Sequence, residues 1–375
     1  MQLFNIRIGG IIMRKINSQA LEDIALGAAL LGTGGGGDPY VGKLMAKQAI
    51  EEYGPVTLLS PVEVPEDALV VPSAMMGAPT VLVEKLMNGE ELIRSFKGLE
   101  NYLGKKIYAT LPIEAGGVNS MIPFVVAARM GIPIIDADGM GRAFPELQML
   151  TFHLGGLNAT PMVLSDEKGN DIIFKTVNNY FTENSARSTV VLMGGSATLS
   201  IYPMTGKDVK EHGVKGIISF SEKIGKGIRE ARKNGQNPVD VLQQITGGFE
   251  LFRGKITDVL RKTEGGFNKG QAVIDGLENY KGERLIVEFQ NENLIARKGE
   301  KILATTPDLI CMVNLETSIP FTTEALKYGQ RVLVLGIPCD PKFRTPEGIK
   351  TVGPRYFKYD IDYVPIEELV KGDVK

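Results

Sequence analysis

Tryptophan is absent from this 375-residue chain, and cysteine and histidine occur only twice each. Two cysteines, Cys311 and Cys339, are too few for a disulfide framework or a cysteine-rich zinc site, so a reducing, cytoplasmic setting is the default expectation. His153 and His212 stand in no spaced zinc motif. Nothing approaches the ~18 uninterrupted apolar residues of a membrane span. A charge excess is missing too: 42 basic and 44 acidic residues give a formal net charge of −2, which leaves no footprint for nucleic acid. The stretch Met1 to Ile12 carries Arg7 and an apolar tendency, but not the long apolar core and small-residue cleavage site of an export signal. Because Met13-Arg14-Lys15 leads straight into a capped helix pattern, residues 1–12 are expected to be an extension the fold does not need.

What is abundant is glycine, and its densest cluster is Gly32-Thr33-Gly34-Gly35-Gly36-Gly37. The run sits between two helix patterns and follows no strand, which argues against the usual nucleotide loops. Before it, Leu21, Ile24, Ala25, Ala28 and Ala29 recur at helical spacing behind a candidate cap at Ser18; after it, Asp38 caps and Pro39 opens a second helix. One glycine suffices to end a helix. Five imply a backbone that takes positive angles and lies against another group. The run is thus either an interhelical loop packed on neighbouring backbone, or a set of bare amides at Thr33, Gly34, Gly35, Gly36, Gly37 and Asp38 suited to an anion or a polar ring carbonyl.

At this length, with 43% hydrophobic residues, two globular domains are expected. Residues 1–176 read as an α/β domain with a mostly parallel sheet and flanking helices. Leu69-Val70-Val71, Lys106–Leu111 and Ile132–Ile135 are strand-like, Met75–Pro79 is a loop, and helical patterns cover about Thr80–Leu103 and Ser120–Met130. Strand, loop, helix and strand within about 30 residues make a βαβ unit with a right-handed crossover. Met162–Leu164 and Ile172–Phe174 flank a candidate hairpin. Residues 177–375 read as a second domain, helical over Asn178–Arg187 and Ser219–Lys233, then strand-rich and barrel-like beyond Gly247.

Ligands of open α/β sheets bind beyond the carboxyl ends of strands, and two charged loops leave from that edge. Asp136-Ala137-Asp138-Gly139-Met140-Gly141-Arg142 places two acids two residues apart, on one side if the strand continues. They make an acid/base or ion-binding loop, or one caps a helix while Arg142 neutralises the other. Glu114-Ala115-Gly116-Gly117-Val118-Asn119-Ser120 leaves the neighbouring strand, so Glu114 is expected to approach Asp136 and Asp138, Asn119 to orient a substrate amide, and Ser120 to cap a helix. Gln290-Asn291-Glu292-Asn293 is either a hairpin turn or a hydrogen-bonding wall for a polar heterocycle, with Glu292 handling a proton. His153, seven residues beyond Glu146, suits a partly buried structural role, and His212 suits a helix C-terminus. Cys311 reads as core, and Cys339 has no neighbouring base.

The motifs GTGGGGDPY (32–40), EAGGVNS (114–120), DADGMGRAFPE (136–146), FQNENL (289–294) and GPRYFKYD (353–360) together resemble the S-methyl thiohydantoin desulfurase family, whose members are associated with hydantoinase/oxoprolinase proteins. The resemblance runs from about Ile16 to Pro365. It implies an N-terminal α/β domain joined to a β-barrel-like C-terminal domain, and a substrate of the thiohydantoin class. Ala115 and Lys358 depart from the family pattern, which commonly has isoleucine and glycine there. The expected activity is hydrolysis of an S-methyl thiohydantoin-like or hydantoin-like ring, releasing a thiol. Glu114, Asp136, Asp138 and Glu292 are the candidate catalytic residues, with Asp138 or Glu114 as base and Glu292 as acid. Thr33 to Asp38, Asn119, Arg142, Gln290, Asn291 and Asn293 are the candidate contacts to the ring. No cofactor is expected, although a hard oxygen-liganded ion at Glu114, Asp136 and Asp138 stays open. So do a non-catalytic role beside a hydantoinase/oxoprolinase partner, and a homo-oligomer. A nucleotide-dependent oxidoreductase is disfavoured by the missing strand and ribose-binding acid.

Overall fold

Short apolar strands interleaved with helices bury both faces of a sheet, and this pattern governs the first half of the chain. The structure is a computed structural model, and it describes residues 5–8, 11–77, 81 and 89–372. At the centre of the first sheet, β3 (Val56–Leu59), β6 (Ile134–Ile135), β5 (Ala109–Leu111) and β4 (Leu69–Gly77) lie side by side and run parallel. The expected βαβ unit is present: β5, the helix Ile122–Met130, and β6, with Thr110 paired to Ile134. The flanks are antiparallel. On one side lie β2 (Ile11–Ile16) and β1 (Asn5–Ile8); on the other, β10 (Ser196–Ser200), β8 (Met162–Ser165) and β9 (Asp171–Phe174), while the short β11 (Met204–Thr205) pairs with β4 and β7 (Ala137–Asp138) with β12 (Val214–Lys215). Residues 1–4 and 9–10 of the proposed extension lie outside the described residues. Among the described residues β1 pairs only with β2, while Arg14 to Ile16 make the pairing to β3.

Three local expectations need correction. Met75 to Gly77 form strand and not loop, because β10 pairs antiparallel with Ser73 to Gly77. The first helix, Ser18–Leu31, is capped by Asn17, whose side chain accepts from the Ala20 amide at 3.0 Å; Ser18 is its first turn. Ser120 caps no helix: its hydroxyl accepts from the Gly116 amide at 3.1 Å and closes the 114–120 loop. Asp38 caps the helix Pro39–Tyr53 as expected, accepting from Tyr40 N at 2.7 Å. Of the proposed helix over about 80–103, Glu90–Leu103 is observed, and residues 78–80 and 82–88 lie outside the described residues.

The chain after residue 176 first returns to this lobe, supplying the helix Asn179–Leu192, then β10, then the helix Ile217–Lys233, which packs on Ser18–Leu31. From Phe249 the chain forms a seven-stranded antiparallel half-barrel, in the order β17 (Lys301–Thr305), β16 (Glu292–Lys298), β15 (Arg284–Gln290), β14 (Phe267–Gly276), β13 (Phe249–Glu264), β19 (Arg331–Ile337), β18 (Leu309–Asn314).

Period-two alternation along β18 and β19 joins the two units. Cys311, Val313, Leu333 and Leu335 face the large α/β core, whereas Ile310, Met312, Val332 and Val334 face the half-barrel core. Two strands therefore serve both cores, and the β15–β16 turn is held over the α/β lobe.

Candidate active site

The glycine-rich run is the hub of this junction. Thr33 (φ 51°), Gly34 (φ 92°), Gly36 (φ 73°) and Gly37 (φ 82°) are all left-handed, a region costly for side-chain-bearing residues. The Thr33 carbonyl accepts from Asn293 N, that of Gly34 from Thr323 N, and that of Gly36 from Val118 N, each at 2.8 Å. A Cβ on Gly36 would lie 2.4 Å from the Gly116 Cα, and one on Gly35 would lie 2.0 Å from the Glu292 carboxyl oxygen Oε1. The glycines thus let the 114–120 loop and the β15–β16 turn approach each other, and each of these carries one buried glutamate. We expect Gly35→Ala, whose backbone angle tolerates alanine, to fold normally but displace the Glu292 carboxyl and lower turnover about 10²-fold. Kinetics beside a melting curve decide it, and unchanged turnover would refute the placement.

A cavity of about 70 Å³ opens between the lobes, walled by Gly36, Gly37, Met75, Glu114, Asn119, Phe144, Arg187, Asn291 and Glu292. Glu114 is anchored: Oε1 accepts from Asn119 Nδ2 at 2.7 Å and Oε2 from the Phe144 amide at 3.3 Å. Asn119 is itself fixed, since its Oδ1 accepts from Met75 N at 2.9 Å and its Nδ2 also reaches the Met75 carbonyl. It orients Glu114 and has no amide left over for a substrate. Glu292 has one carboxyl oxygen, Oε2, that meets no described partner.

Burial pushes the Glu114 carboxyl up to about 7, with the Asn119 and Phe144 hydrogen bonds and the Arg142 and Arg187 cations pulling the other way. Burial pushes Glu292 well above the usual carboxylate range, and the neighbouring Glu114 adds to that push. Both carboxyls are thus displaced toward the protonated form, Glu114 to the range where it exchanges a proton near neutrality. Linkage gives a test. Glu114 binds its proton more tightly folded than unfolded, so its contribution to stability is full below about pH 4.5 and is lost as pH rises through about 7. The loss is about 3 kcal/mol for this one group. Denaturant unfolding from pH 4 to 8 should show a decline smaller by about that amount in Glu114→Gln than in the wild type, because Glu292, Asp138 and Glu183, also pushed up by burial, contribute in both; the same decline in both would refute it.

Asp136 and Asp138 do not join this pair. Asp136 accepts from the Ile218 and Ser219 amides at 2.8 and 3.1 Å and from the Ser219 hydroxyl, holding the N-terminus of Ile217–Lys233. Asp138 is buried off the cavity wall, with Oδ1 accepting from Met140 N at 3.1 Å and Gly141 N at 2.8 Å to close its own turn. The proposed oxygen-ligand set of Glu114, Asp136 and Asp138 is thereby split, and among the described residues no group of three His, Cys, Asp or Glu side chains is placed to hold a metal ion.

Arg142 is fully buried and donates within the fold, to the Ala143, Pro307, Asp308 and Asn293 carbonyls and the Thr33 hydroxyl. Asn293 donates its amide to the Ile310 carbonyl at 2.8 Å and is off the cavity wall. Asn291 (φ 59°) sits in the β15–β16 turn, exchanging hydrogen bonds with Asn268, and does line the cavity. Gln290 faces a second, adjoining cavity.

Sequence reading missed Arg187. It projects from Asn179–Leu192, held by Glu183 at 2.7 Å and the Pro145 carbonyl at 2.8 Å, and stacks over Phe267 at 4.5 Å. Among the described residues it is the cation on the cavity wall, and no motif marks it.

Half-buried His153 lies 3.0 Å from the Asn179 amide nitrogen, and His212 ends the helix Gly206–His212. Burial raises both thiols, Cys311 and Cys339, to about 12, which disfavours a thiolate nucleophile. Cys339→Ser should retain turnover within about threefold, against the several orders of magnitude that loss of a covalent nucleophile costs.

An α/β lobe and an antiparallel half-barrel, with two buried glutamates on the wall of the cavity between them, define the class. Residues 19–176 match the profile of the S-Me-THD-like N-terminal domain and residues 177–366 that of the S-Me-THD-like C-terminal domain, so the chain belongs to the S-Me-THD-like family. Among solved structures, the crystal structure of a protein from Chromobacterium violaceum is 21% identical and covers 94% of this chain and 99% of its own, with a TM-score of 0.77. That likeness concerns the fold. A search of the curated proteins gave no match.

Proposed function

We propose that the chain hydrolyses an S-methyl thiohydantoin-like ring at its sulfur-bearing carbon, giving the hydantoin carbonyl and methanethiol. The observation that carries this reading is that two buried glutamates, Glu114 and Glu292, share one cavity wall, where burial pushes both carboxyls above the ordinary range. Attack by water on the C(–SCH₃)=N carbon needs a base for the water and an acid for the ring nitrogen. Ionised Glu114 takes a proton from water as the C–O bond forms, and Glu292 gives its proton to the ring nitrogen. The tetrahedral intermediate then expels the thiol with the proton held on Glu114, and its hydroxyl proton returns to Glu292 as the carbonyl forms. Water supplies one hydrogen to the ring nitrogen and one to the thiol, and both carboxyls end as they began. Arg187 favours the anionic charge that develops in the cavity.

The test is incubation of the purified chain with a panel of S-methyl thiohydantoins and hydantoins, following product mass and free thiol. One thiol per hydantoin formed supports the proposal. Ring binding without turnover, or turnover only in a partner enzyme that the chain stimulates, would instead favour the non-catalytic role beside a hydantoinase/oxoprolinase.

A further inference from the structure

The catalytic cavity shares a wall with a larger one. Glu146 borders both, and at the β15–β16 turn consecutive residues divide between them: Gln290 lines the outer cavity, Asn291 and Glu292 the inner. The outer cavity holds about 510 Å³ against about 70 Å³ inside, so whatever is attached to a ring seated at the glutamates has its space there. Its wall combines aromatic rings with two lysines, Lys269 and Lys358.

The charges on that wall are not equally free. Glu146 accepts from the Tyr356 hydroxyl at 2.5 Å and from Gln148. Glu288 accepts from Arg297 at 2.9 Å and from the Tyr359 hydroxyl at 3.3 Å. Nearby Arg355 is bound to Asp360 and Asp362. Lys269 and Lys358 have no carboxylate within ion-pair distance among the described residues, although both line the cavity. Lys358 is also held at φ 68°, where a lysine is uncommon, by the turn in which its amide donates to the Arg355 carbonyl and that of Tyr359 to the Pro354 carbonyl. Two carboxylates and two lysines balance in formal charge on this wall, but both carboxylates are held by hydrogen-bond donors while the two lysines are the charges left to meet a ligand, beside apolar ring faces that suit a hydrocarbon spacer.

We propose that the outer cavity is a specificity subsite in which Lys269 and Lys358 bind a carboxylate carried on a side arm of the ring, so that the preferred substrate is an acidic, ring-substituted thiohydantoin. This rests on the desulfurisation reading of the inner cavity. The test compares an S-methyl thiohydantoin bearing a carboxyethyl arm with its neutral carboxamide isostere, using the full chain, Lys358→Gly, and the double variant Lys269→Gln/Lys358→Gly. The wild type is expected to prefer the acid by about 10- to 100-fold in kcat/KM, mostly through KM, with a preference that falls as salt rises. The double variant should bring acid and amide within about threefold while leaving amide turnover unchanged. Equal use of both by the wild type, or a preference that survives the double variant, would overturn the subsite. If neither ring is turned over, the desulfurisation reading fails by itself, and calorimetric binding of the acid and amide hydantoins still decides the subsite. Tighter acid binding lost in the double variant upholds it, and equal binding overturns it.

Discussion

Glu114→Gln is expected to lower kcat for thiol release by about 10²- to 10⁴-fold with little change in ring affinity, as for loss of a general base. The local geometry makes the substitution clean. Asn119 cannot flip, because its other atom is committed to the Met75 amide, so a glutamine at 114 keeps its carbonyl toward Asn119. Its amide then faces the Phe144 N–H, which forfeits only the longer bond of 3.3 Å. Melting should shift little at pH 5 and rise at pH 8, where the wild type carries a buried charge that the variant lacks. Loss of activity accompanied by loss of folding at both pH values would mean that Glu114 is structural. Full activity would remove it from the mechanism.

Arg142→Met should lower the free energy of unfolding by about 3–5 kcal/mol, near the upper end for a single substitution. The guanidinium satisfies four carbonyls and the Thr33 hydroxyl, drawn from the glycine-rich run, its own loop, β16 and the Pro307-Asp308 turn, and lies 4.3 Å over the Phe144 ring. Methionine fills similar volume but leaves these acceptors buried and unpaired. A second effect separates this fastener from an inert one. Arg142 pulls the Glu114 and Glu292 carboxyls down, so its removal should move the rising limb of the pH–rate profile to higher pH in whatever fraction remains folded. Denaturant unfolding and a pH profile together check it. Wild-type stability, or an unmoved limb, would contradict the role.

The parts legible in the sequence were those set by local pattern. Apolar runs and turn residues gave the βαβ unit, the hairpin around Asp166 to Asp171 and the strand-rich stretch beyond Gly247, and glycine density marked the loop that carries the junction. Glu114 and Glu292 were nameable because each stands in a polar loop between apolar strands. Asp136, Asp138 and Arg142 looked equally chemical, yet their partners cannot be seen locally. Asp136 is taken up by amides 82 and 83 positions away, and Arg142 by carbonyls 151 to 166 positions away. A carboxylate at a strand's end serves a substrate or a backbone with the same chemistry, and only the tertiary fold chooses. Arg187 was invisible for the converse reason: one arginine on an ordinary helix becomes a wall of the cavity only once β10 brings that helix across the ends of the parallel strands.

The most direct measurement is a ¹³C NMR titration of the intact chain labelled at the glutamate carboxyl carbon, with Glu114→Gln and Glu292→Gln used to assign the two signals. The account predicts one glutamate titrating near pH 7 and a second displaced well above the usual carboxylate range, each lost in its own variant. Both carboxyls ionising below about pH 5 would leave no proton donor beside the base, and would contradict the acid–base pair on which the mechanism stands.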